Sequence, residues 1–121
     1  MAYSVSPIGA PLGTVVATDT GLGHTGDMNV RGGATNLYYL DCDNTANSAA
    51  SYLKLWDATA PTVGTTAPDW IFKIPANTRL PIPFPQGVLF ATGFSMAAVT
   101  TGGTAGVTDP VSAFIVRATL S

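Results

Sequence analysis

Glycine and proline recur along this chain and leave little room for a long helix. The 121 residues include 13 Gly and 9 Pro. In a helix interior Gly costs about 1 kcal/mol and Pro about 3 kcal/mol relative to Ala. All seven acidic residues are Asp, which favours caps and turns, and Glu is absent. The sequence therefore predicts a fold of short strands.

Segments between the turns alternate polar and apolar residues with the period of two that is typical of a half-buried β-strand. In the segment SYLKLWD, Leu53 and Leu55 point to one side of the predicted strand. Tyr52, Lys54 and Trp56 point to the other side. The final segment, VSAFIVRATL, is the longest and most apolar, which predicts a central strand of a sheet.

Two prolines mark a further strand as the edge of its sheet. Pro81 and Pro83 alternate with apolar side chains, and a residue without an N–H is tolerated on an edge strand but not inside a sheet. In all, the pattern predicts eight strands, near Met28–Arg31, Thr35–Asp41, Ser51–Asp57, Trp70–Ile74, Thr78–Phe84, Val88–Phe90, Gly93–Thr100 and Val111–Leu120.

Short strands with no helix between them are typical of a β-sandwich. The predicted fold class is all-β: a single antiparallel β-sandwich, jelly-roll-like, with about eight strands and an extended N-terminal arm. The arm covers residues 1–26, where Gly and Pro are too frequent for regular structure and only the segment GTVVAT has strand character. The β-sandwich domain covers residues 27–121.

Charged residues are scarce: they make up 10% of the chain, against about 25% in an average globular domain. Small polar residues must therefore cover much of the surface, which favours a protein packed against its neighbours. The net charge of −2 and the lack of clustered Lys or Arg argue against a nucleic-acid partner. No apolar run approaches the roughly 20 residues that span a bilayer, so no membrane partner is expected.

Residues that commonly act in catalysis are few. His24 is the single histidine and lies in the segment GLGHTG, a poor scaffold for holding a base against a nucleophile. Cys42 is the single cysteine, which excludes an intrachain disulfide and fits assembly in a reducing cytoplasm. Its neighbours Asp41 and Asp43 are expected to raise the pKa of its thiol. We predict no enzymatic activity, no catalytic residue and no cofactor.

Asp41 and Asp43 are the acidic residues closest together in the sequence. They lie about 7 Å apart on one predicted strand, and one strand cannot provide both sides of a glycosidase cleft. With Asn44 and Asn47 they offer oxygen ligands suited to Ca²⁺, but the spacing matches no defined calcium loop, and Asp and Asn are common in turns. No metal site is predicted, and calcium binding by Asp41, Asp43 and Asn44 is left open.

Aromatic residues on one strand face are typical of sugar-binding platforms. Tyr52 and Trp56 share such a face, and Tyr38 is a further candidate. A small sandwich also needs one aromatic face on a strand to fill its core. The sequence therefore favours the core or a subunit interface for these residues over a glycan platform.

A series of strand and turn motifs runs from Leu40 to Gly93. A strand ending in Asp43 and Asn44 is followed by the strand YLKLWD, the turn APTVGTTAP, an apolar strand ending in IPA and the turn PQGVLFATG. This series resembles that of small structural proteins of tailed-bacteriophage particles, of the capsid cement (decoration) type. The likeness covers somewhat under half of the chain closely, and residues 1–26 lie outside it.

The resemblance implies a capsid cement protein that binds the major capsid protein on the virion surface and is made in the host bacterial cytoplasm. The low-charge surface predicts a homo-oligomer, and the resemblance favours a trimer over a dimer. Two alternatives stay open: a tail, baseplate or fibre component of the same particle, and a carbohydrate-binding β-sandwich module. The arm is expected to contact a neighbouring subunit, either another copy or the capsid protein.

Overall fold

The structure is a computed structural model, and it describes residues 15–121. These residues form seven β-strands and no α-helix. The strands are β1 (Val15–Asp19), β2 (Thr35–Asp43), β3 (Ser51–Asp57), β4 (Trp70–Ile74), β5 (Arg79–Phe90), β6 (Phe94–Val99) and β7 (Ile115–Leu120). Accordingly, no helix in this part of the chain is long and apolar enough to cross a membrane.

Two antiparallel sheets share one core. Sheet A has four strands in the order β1-β7-β2-β5, and sheet B has three strands in the order β4-β3-β6. Buried side chains of both sheets form one apolar cluster, which includes Leu37, Leu40, Cys42, Val116, Ala118 and Leu120 of sheet A and Leu53, Leu55, Ile74, Met96 and Ala98 of sheet B. The predicted all-β sandwich is confirmed, with seven strands in place of about eight.

A β-bulge in the middle of β2 keeps the apolar side chains of this strand on the core side. The register of β2 against β7 shifts between Leu37 and Tyr39, which makes Tyr38 an extra residue on β2. Leu37 and Leu40 are both buried, although an odd number of positions separates them. Without the extra residue, the period of two would turn one of these side chains to the outer face.

The predicted strands Thr78–Phe84 and Val88–Phe90 are one strand, β5, that bulges in its middle. Residues 84–87 have no partner in the register against β2. At the end of this bulge Gly87 has a φ of +77°, and a Cβ there would lie 2.8 Å from the ring of Tyr38. Only glycine fits both the backbone angle and the close approach of the aromatic ring. The alternation of polar and apolar residues is interrupted at this bulge, which is why the sequence predicted two strands.

β5 is an edge strand, as its prolines predicted. Within the described residues it pairs with β2 and with no other strand. Pro81 and Pro83 lie opposite Asp41 and Tyr39 of β2. An edge strand tolerates a missing N–H because one side of its backbone has no ladder to complete.

The predicted strand Met28–Arg31 is not a strand. This segment lies beside β6, but the backbone pairing found there is one isolated bridge between Asp27 and Met96 and a hydrogen bond from the N–H of Val30 to the carbonyl of Phe94, while the N–H of Asn29 donates to the side chain of Ser95. Between these two contacts Asn29 has a φ of +48°, in the left-handed region. That backbone angle interrupts the extended conformation that a continuous ladder requires.

β7 lies between β1 and β2, which confirms the prediction of a central strand for the final segment. It begins at Ile115, later than the predicted start at Val111. The N–H of Ser112 donates to Oδ1 of Asn47 at 2.7 Å, and the carbonyl of Ser112 accepts from Nδ2 of Asn47 at 3.2 Å. Because a side chain takes these backbone groups, no strand pairing begins there.

The described part of the predicted N-terminal arm packs on the sandwich. All five residues of β1 pair with β7. Leu22 is buried in the core, and its N–H donates to the carbonyl of Phe114 at 2.9 Å. The remainder of the predicted arm, residues 1–14, lies outside the described residues.

A buried polar network is built on Asn44, which is 0% exposed. Its Nδ2 donates to the carbonyls of Ile74 at 3.2 Å and Pro75 at 3.0 Å. Its Oδ1 accepts from Nδ2 of Asn47 and from Oγ of Ser51, each at 2.9 Å. One amide group therefore joins the end of β2 to the start of β3 and the end of β4.

We expect Asn44→Ala to lower the free energy of unfolding by about 3 kcal/mol, because it leaves several buried polar groups without partners. Urea denaturation followed by tryptophan fluorescence measures this change. Asn36→Ala is the control, since the side-chain amide of Asn36 makes no hydrogen bond within the described residues, and we expect less than about 0.5 kcal/mol there. Equal stability of the two variants would contradict the role given to Asn44.

Candidate interaction surface

Two loops cover the outer face of sheet B. All six residues of β6 and five of the seven residues of β3 are buried. The indole N–H of Trp56 donates to the carbonyl of Thr66 at 3.0 Å, which holds the loop 58–69 against the sheet. The loop 100–114 closes over Lys54 in the same way. Neither face of sheet B is therefore open to a partner along its centre.

Lys54 is buried on this face without a carboxylate partner among the described residues. Its Nζ donates to the carbonyls of Thr104 at 3.2 Å and Gly106 at 3.1 Å, both in the covering loop. Removal from water lowers the pKa of its ammonium group. Alternation correctly placed Lys54 on the side of β3 away from the core, but no local signal showed that a distant loop covers that side.

The outer face of sheet A is uncovered. Side chains that point outward from its strands are exposed or half-buried. Val16 is 59% exposed and Tyr39 is 39% exposed. Two rows of aligned residues cross the four strands, and together we name them the open face: Val16, Thr119, Tyr39 and Pro83, and Thr18, Arg117, Asp41 and Pro81.

An ion-pair cluster crosses the open face at Asp41. Arg79 binds it with two hydrogen bonds, from Nε to Oδ1 at 2.9 Å and from Nη2 to Oδ2 at 2.6 Å. Arg117 places Nη1 3.7 Å from Oδ2. The hydrogen bonds from Arg79, and after them the charges of both arginines, lower the pKa of Asp41. Asp41 and Arg79 are therefore paired by hydrogen bonds, whereas Nη1 of Arg117 has no hydrogen-bond partner among the described residues.

The residues discussed for calcium bind other protein groups. Both carboxylate oxygens of Asp41 accept from Arg79, and Oδ1 of Asp43 accepts from the N–H of Thr45 at 3.0 Å. Asn44 directs its amide into the buried network. In the described part of the chain, no three side chains of His, Cys, Asp or Glu are grouped to hold a metal ion.

His24 and Cys42 lie in different environments. His24 is on an exposed loop, where its Nδ1 and its backbone N each lie 2.7 Å from Oδ1 of Asp109. Cys42 is buried in the core. Burial, with a further contribution from the charge of Asp41, raises the pKa of the Cys42 thiol to about 12. The predicted direction is confirmed, although burial rather than the neighbouring aspartate is the main cause.

Tyr52 and Trp56 do not form an exposed platform. Trp56 is 1% exposed. Tyr52 lies under the loop 100–114, and a Cβ on Gly102 would stand 3.1 Å from its ring. These two aromatic residues fill the space between sheet B and its covering loops, so a sugar ring has no access to Trp56.

An aromatic cluster that the sequence did not predict lies where the edge strands β4 and β5 meet. Trp70 stacks on Phe72 with ring centroids 6.1 Å apart and an interplanar angle of 8°. Phe84 lies 6.2 Å from each of these rings. Alternation had placed the three side chains on apolar strand faces, but the pattern contains no signal that the two edges adjoin.

We expect Asp41→Asn to lower the urea midpoint at pH 7, because it leaves Arg79 and Arg117 close together without a countercharge. The folded-state pKa of Asp41 is lowered, so its contribution is fully present above the ordinary value of 3.8 and is lost as the pH falls through the folded value. The difference between variant and wild type should therefore shrink at about pH 3, and also in about 1 M NaCl.

Asp43→Asn is the control for this experiment. Its carboxylate accepts hydrogen bonds from Thr45 and lies within 4 Å of no cation of the described residues. The charges of Arg79 and Arg117 act on it from farther away, so the effect of the change should depend less on salt than that of Asp41→Asn. A midpoint for Asp41→Asn equal to that of the wild type at pH 7 and low salt would contradict the stabilising role of the ion-pair cluster.

No protein-family model, curated protein or solved structure matches this chain. What the protein does must therefore be argued from its own surface and motifs. Two features of that surface are specific: the two loops that close sheet B, and the open face of sheet A with its internally paired charges.

Proposed function

We propose that this protein is a structural component of a virus particle, a capsid cement protein that binds the major capsid protein of a tailed bacteriophage head. The observation that carries the proposal is the open face, a broad sheet surface with paired charges and exposed apolar side chains on a chain of low charge. The motif series from Leu40 to Gly93 resembles that of small phage virion proteins, and this resemblance is the reason for proposing a phage particle.

A packaged head must resist internal pressure, and a cement protein adds buried surface between capsomers. Such a contact desolvates a broad area, so an unpaired charge within it costs free energy. On the open face Asp41 is already paired with Arg79, while Val16 and Tyr39 offer apolar groups. Binding here would bury apolar area without separating Asp41 from Arg79, and Arg117, whose Nη1 has no hydrogen-bond partner among the described residues, would bind an acceptor of the capsid protein.

Fixed loops also suit this role. Lys54 and Trp56 hold the two covering loops of sheet B by hydrogen bonds to backbone carbonyls. A domain whose loops are already ordered loses little conformational entropy when it binds. The binding free energy is then available for the contact itself.

The sheet edges favour contact through the face rather than by strand addition. The edge strand β5 carries prolines. The segment 23–30 covers the edge of β6, where the N–H groups of Asp27 and Val30 donate to the carbonyls of Met96 at 2.8 Å and Phe94 at 2.9 Å. At β5 and β6, two of the four edge strands, another chain would therefore meet backbone groups that are missing or already used.

The location of the protein in purified particles tests the proposal most directly. Labelling it with an antibody and imaging the particles by electron microscopy should place it on the shell lattice. A position on the tail, baseplate or fibre would replace the cement function by that alternative. A protein missing from particles, together with sugar binding that depends on the exposed Trp70, would instead favour a carbohydrate-binding module.

We expect Tyr39→Asp to weaken attachment to particles that lack the protein by at least about tenfold, because it places an unpaired charge in the middle of the open face. Val111→Asp is the matched control: Val111 is 93% exposed but lies outside the open face, in the segment before β7. Cosedimentation with particles measures the affinity, and a urea melt checks the fold. Equal affinity of the two variants would exclude the open face as the contact.

The proposal includes a homo-oligomer, with a trimer favoured over a dimer, and an N-terminal arm that contacts a neighbouring subunit. We expect deletion of residues 2–12 to leave the sandwich folded but to weaken oligomerisation or particle attachment, because fixing such a segment costs roughly 1 kcal/mol per residue and requires compensating contacts. Analytical ultracentrifugation and particle binding measure both effects. Unchanged assembly and affinity would show that these residues are not needed.

A further inference from the structure

The middle of the loop 100–114, residues 101–107, forms a tip that stands apart from the ladders of both sheets. Five of its seven residues are exposed, and only Thr104 and Gly106 are half-buried. The tip takes part in no strand pairing, and within the described residues its backbone makes no hydrogen bond to another backbone group. A segment with so few bonds opens at a lower free energy than the strands around it.

The two ends of the tip are anchored to the fold. Residue 100, where the loop begins, directly follows β6. The N–H of Thr100 donates to the carbonyl of Thr108 at 2.9 Å. The next residue, Asp109, accepts with its Oδ1 from the N–H of His24 at 2.7 Å. Motion of the tip is therefore limited to a flap between fixed ends, which leaves both sheets in place.

Lys54 supplies the hydrogen bonds that join the tip to sheet B. Its Nζ donates to the carbonyls of Thr104 at 3.2 Å and Gly106 at 3.1 Å. Within the described residues, no other hydrogen bond connects the tip to the rest of the chain. The ring of Tyr52 lies beneath the same tip, 3.1 Å from the place where a Cβ on Gly102 would stand. One side chain from the centre of the sheet therefore holds the whole tip.

The closed tip keeps an ammonium group out of water. Lys54 is 0% exposed and forms no ion pair with a carboxylate of the described residues. An ammonium group has three N–H donors, and the two carbonyls accept from only two of them. A buried charge without a countercharge raises the free energy of the closed state, and opening of the tip returns that charge to water. The arrangement is therefore one that favours local opening.

We propose that residues 101–107 are a lid over the outer face of sheet B, held closed by Lys54, and that this lid opens while the sandwich stays folded. Opening uncovers the ring of Tyr52 and the ammonium group of Lys54 at the centre of the sheet. The protein then has a second surface for contacts, on the side of the sandwich opposite the open face.

Acylation of the lysines of the full chain, measured by mass spectrometry, tests the proposal. The chain has two lysines, and the exposed Lys73 is the internal reference for the buried Lys54. We expect Lys54 to react at least about tenfold more slowly than Lys73, at a rate that hardly depends on urea well below the unfolding midpoint. A rate for Lys54 that rises with urea as steeply as global unfolding does would overturn the proposal, as would equal rates for the two lysines.

Two glycine-to-alanine variants give a matched comparison. Gly102→Ala adds a methyl group 3.1 Å from the ring of Tyr52, so it should favour the open lid and raise the acylation rate of Lys54 at least about threefold, with the same weak urea dependence. Gly21→Ala adds a methyl group where no atom lies within 4 Å, so the rate should stay that of the wild type. Equal rates in the two variants would contradict the lid. So would a steep urea dependence in Gly102→Ala, since the whole fold would then be opening.

Discussion

Three stretches of chain that are distant in sequence, residues 44–51, 74–75 and 112–113, meet in the hydrogen-bond network of Asn44 and Asn47. Asn44 directly follows β2 of sheet A, and its side-chain oxygen accepts from Ser51 at the start of β3 in sheet B. Through Asn47 the network continues to Ser112, just before β7. In a buried site an unpaired polar group is costly, so a network of this kind has one satisfied arrangement. That arrangement sets how the ends of the two sheets lie against each other.

The sequence predicted most where a strand's own neighbours determine which side is buried. The alternation around Leu53 and Leu55 predicted the correct strand and the side of it that faces the core. The prolines of β5 correctly predicted an edge strand, and the apolar final segment a central one. Prediction failed where contacts with residues far along the chain determine whether a side chain is buried or where a strand begins. Lys54 is buried because a loop some 50 residues later covers it, and Ser112 is held out of β7 by a side chain. Periodicity carries no information on such contacts.

The same limitation applies to the candidate interaction surface. In the sequence, the positions that point outward from sheet A and from sheet B carry similar residues, in both cases polar side chains mixed with aromatic and aliphatic ones. The difference arises only when the loops 58–69 and 100–114 pack on sheet B and leave sheet A uncovered. The motif series of the resemblance runs through β3 and β4 of sheet B and also includes the end of β2 and part of β5 in sheet A. Two of the four strands of the open face, β1 and β7, lie outside that series.

The two sides of the sandwich are closed by different interactions. At β4 and β5 the rings of Trp70, Phe72 and Phe84 join the sheets through apolar contact that pH does not change. At β1 and β6 the join consists of backbone hydrogen bonds between the segment 23–30, which follows β1, and β6. Val16 and Thr18 of β1 belong to the open face, so a partner bound there holds β1 in place.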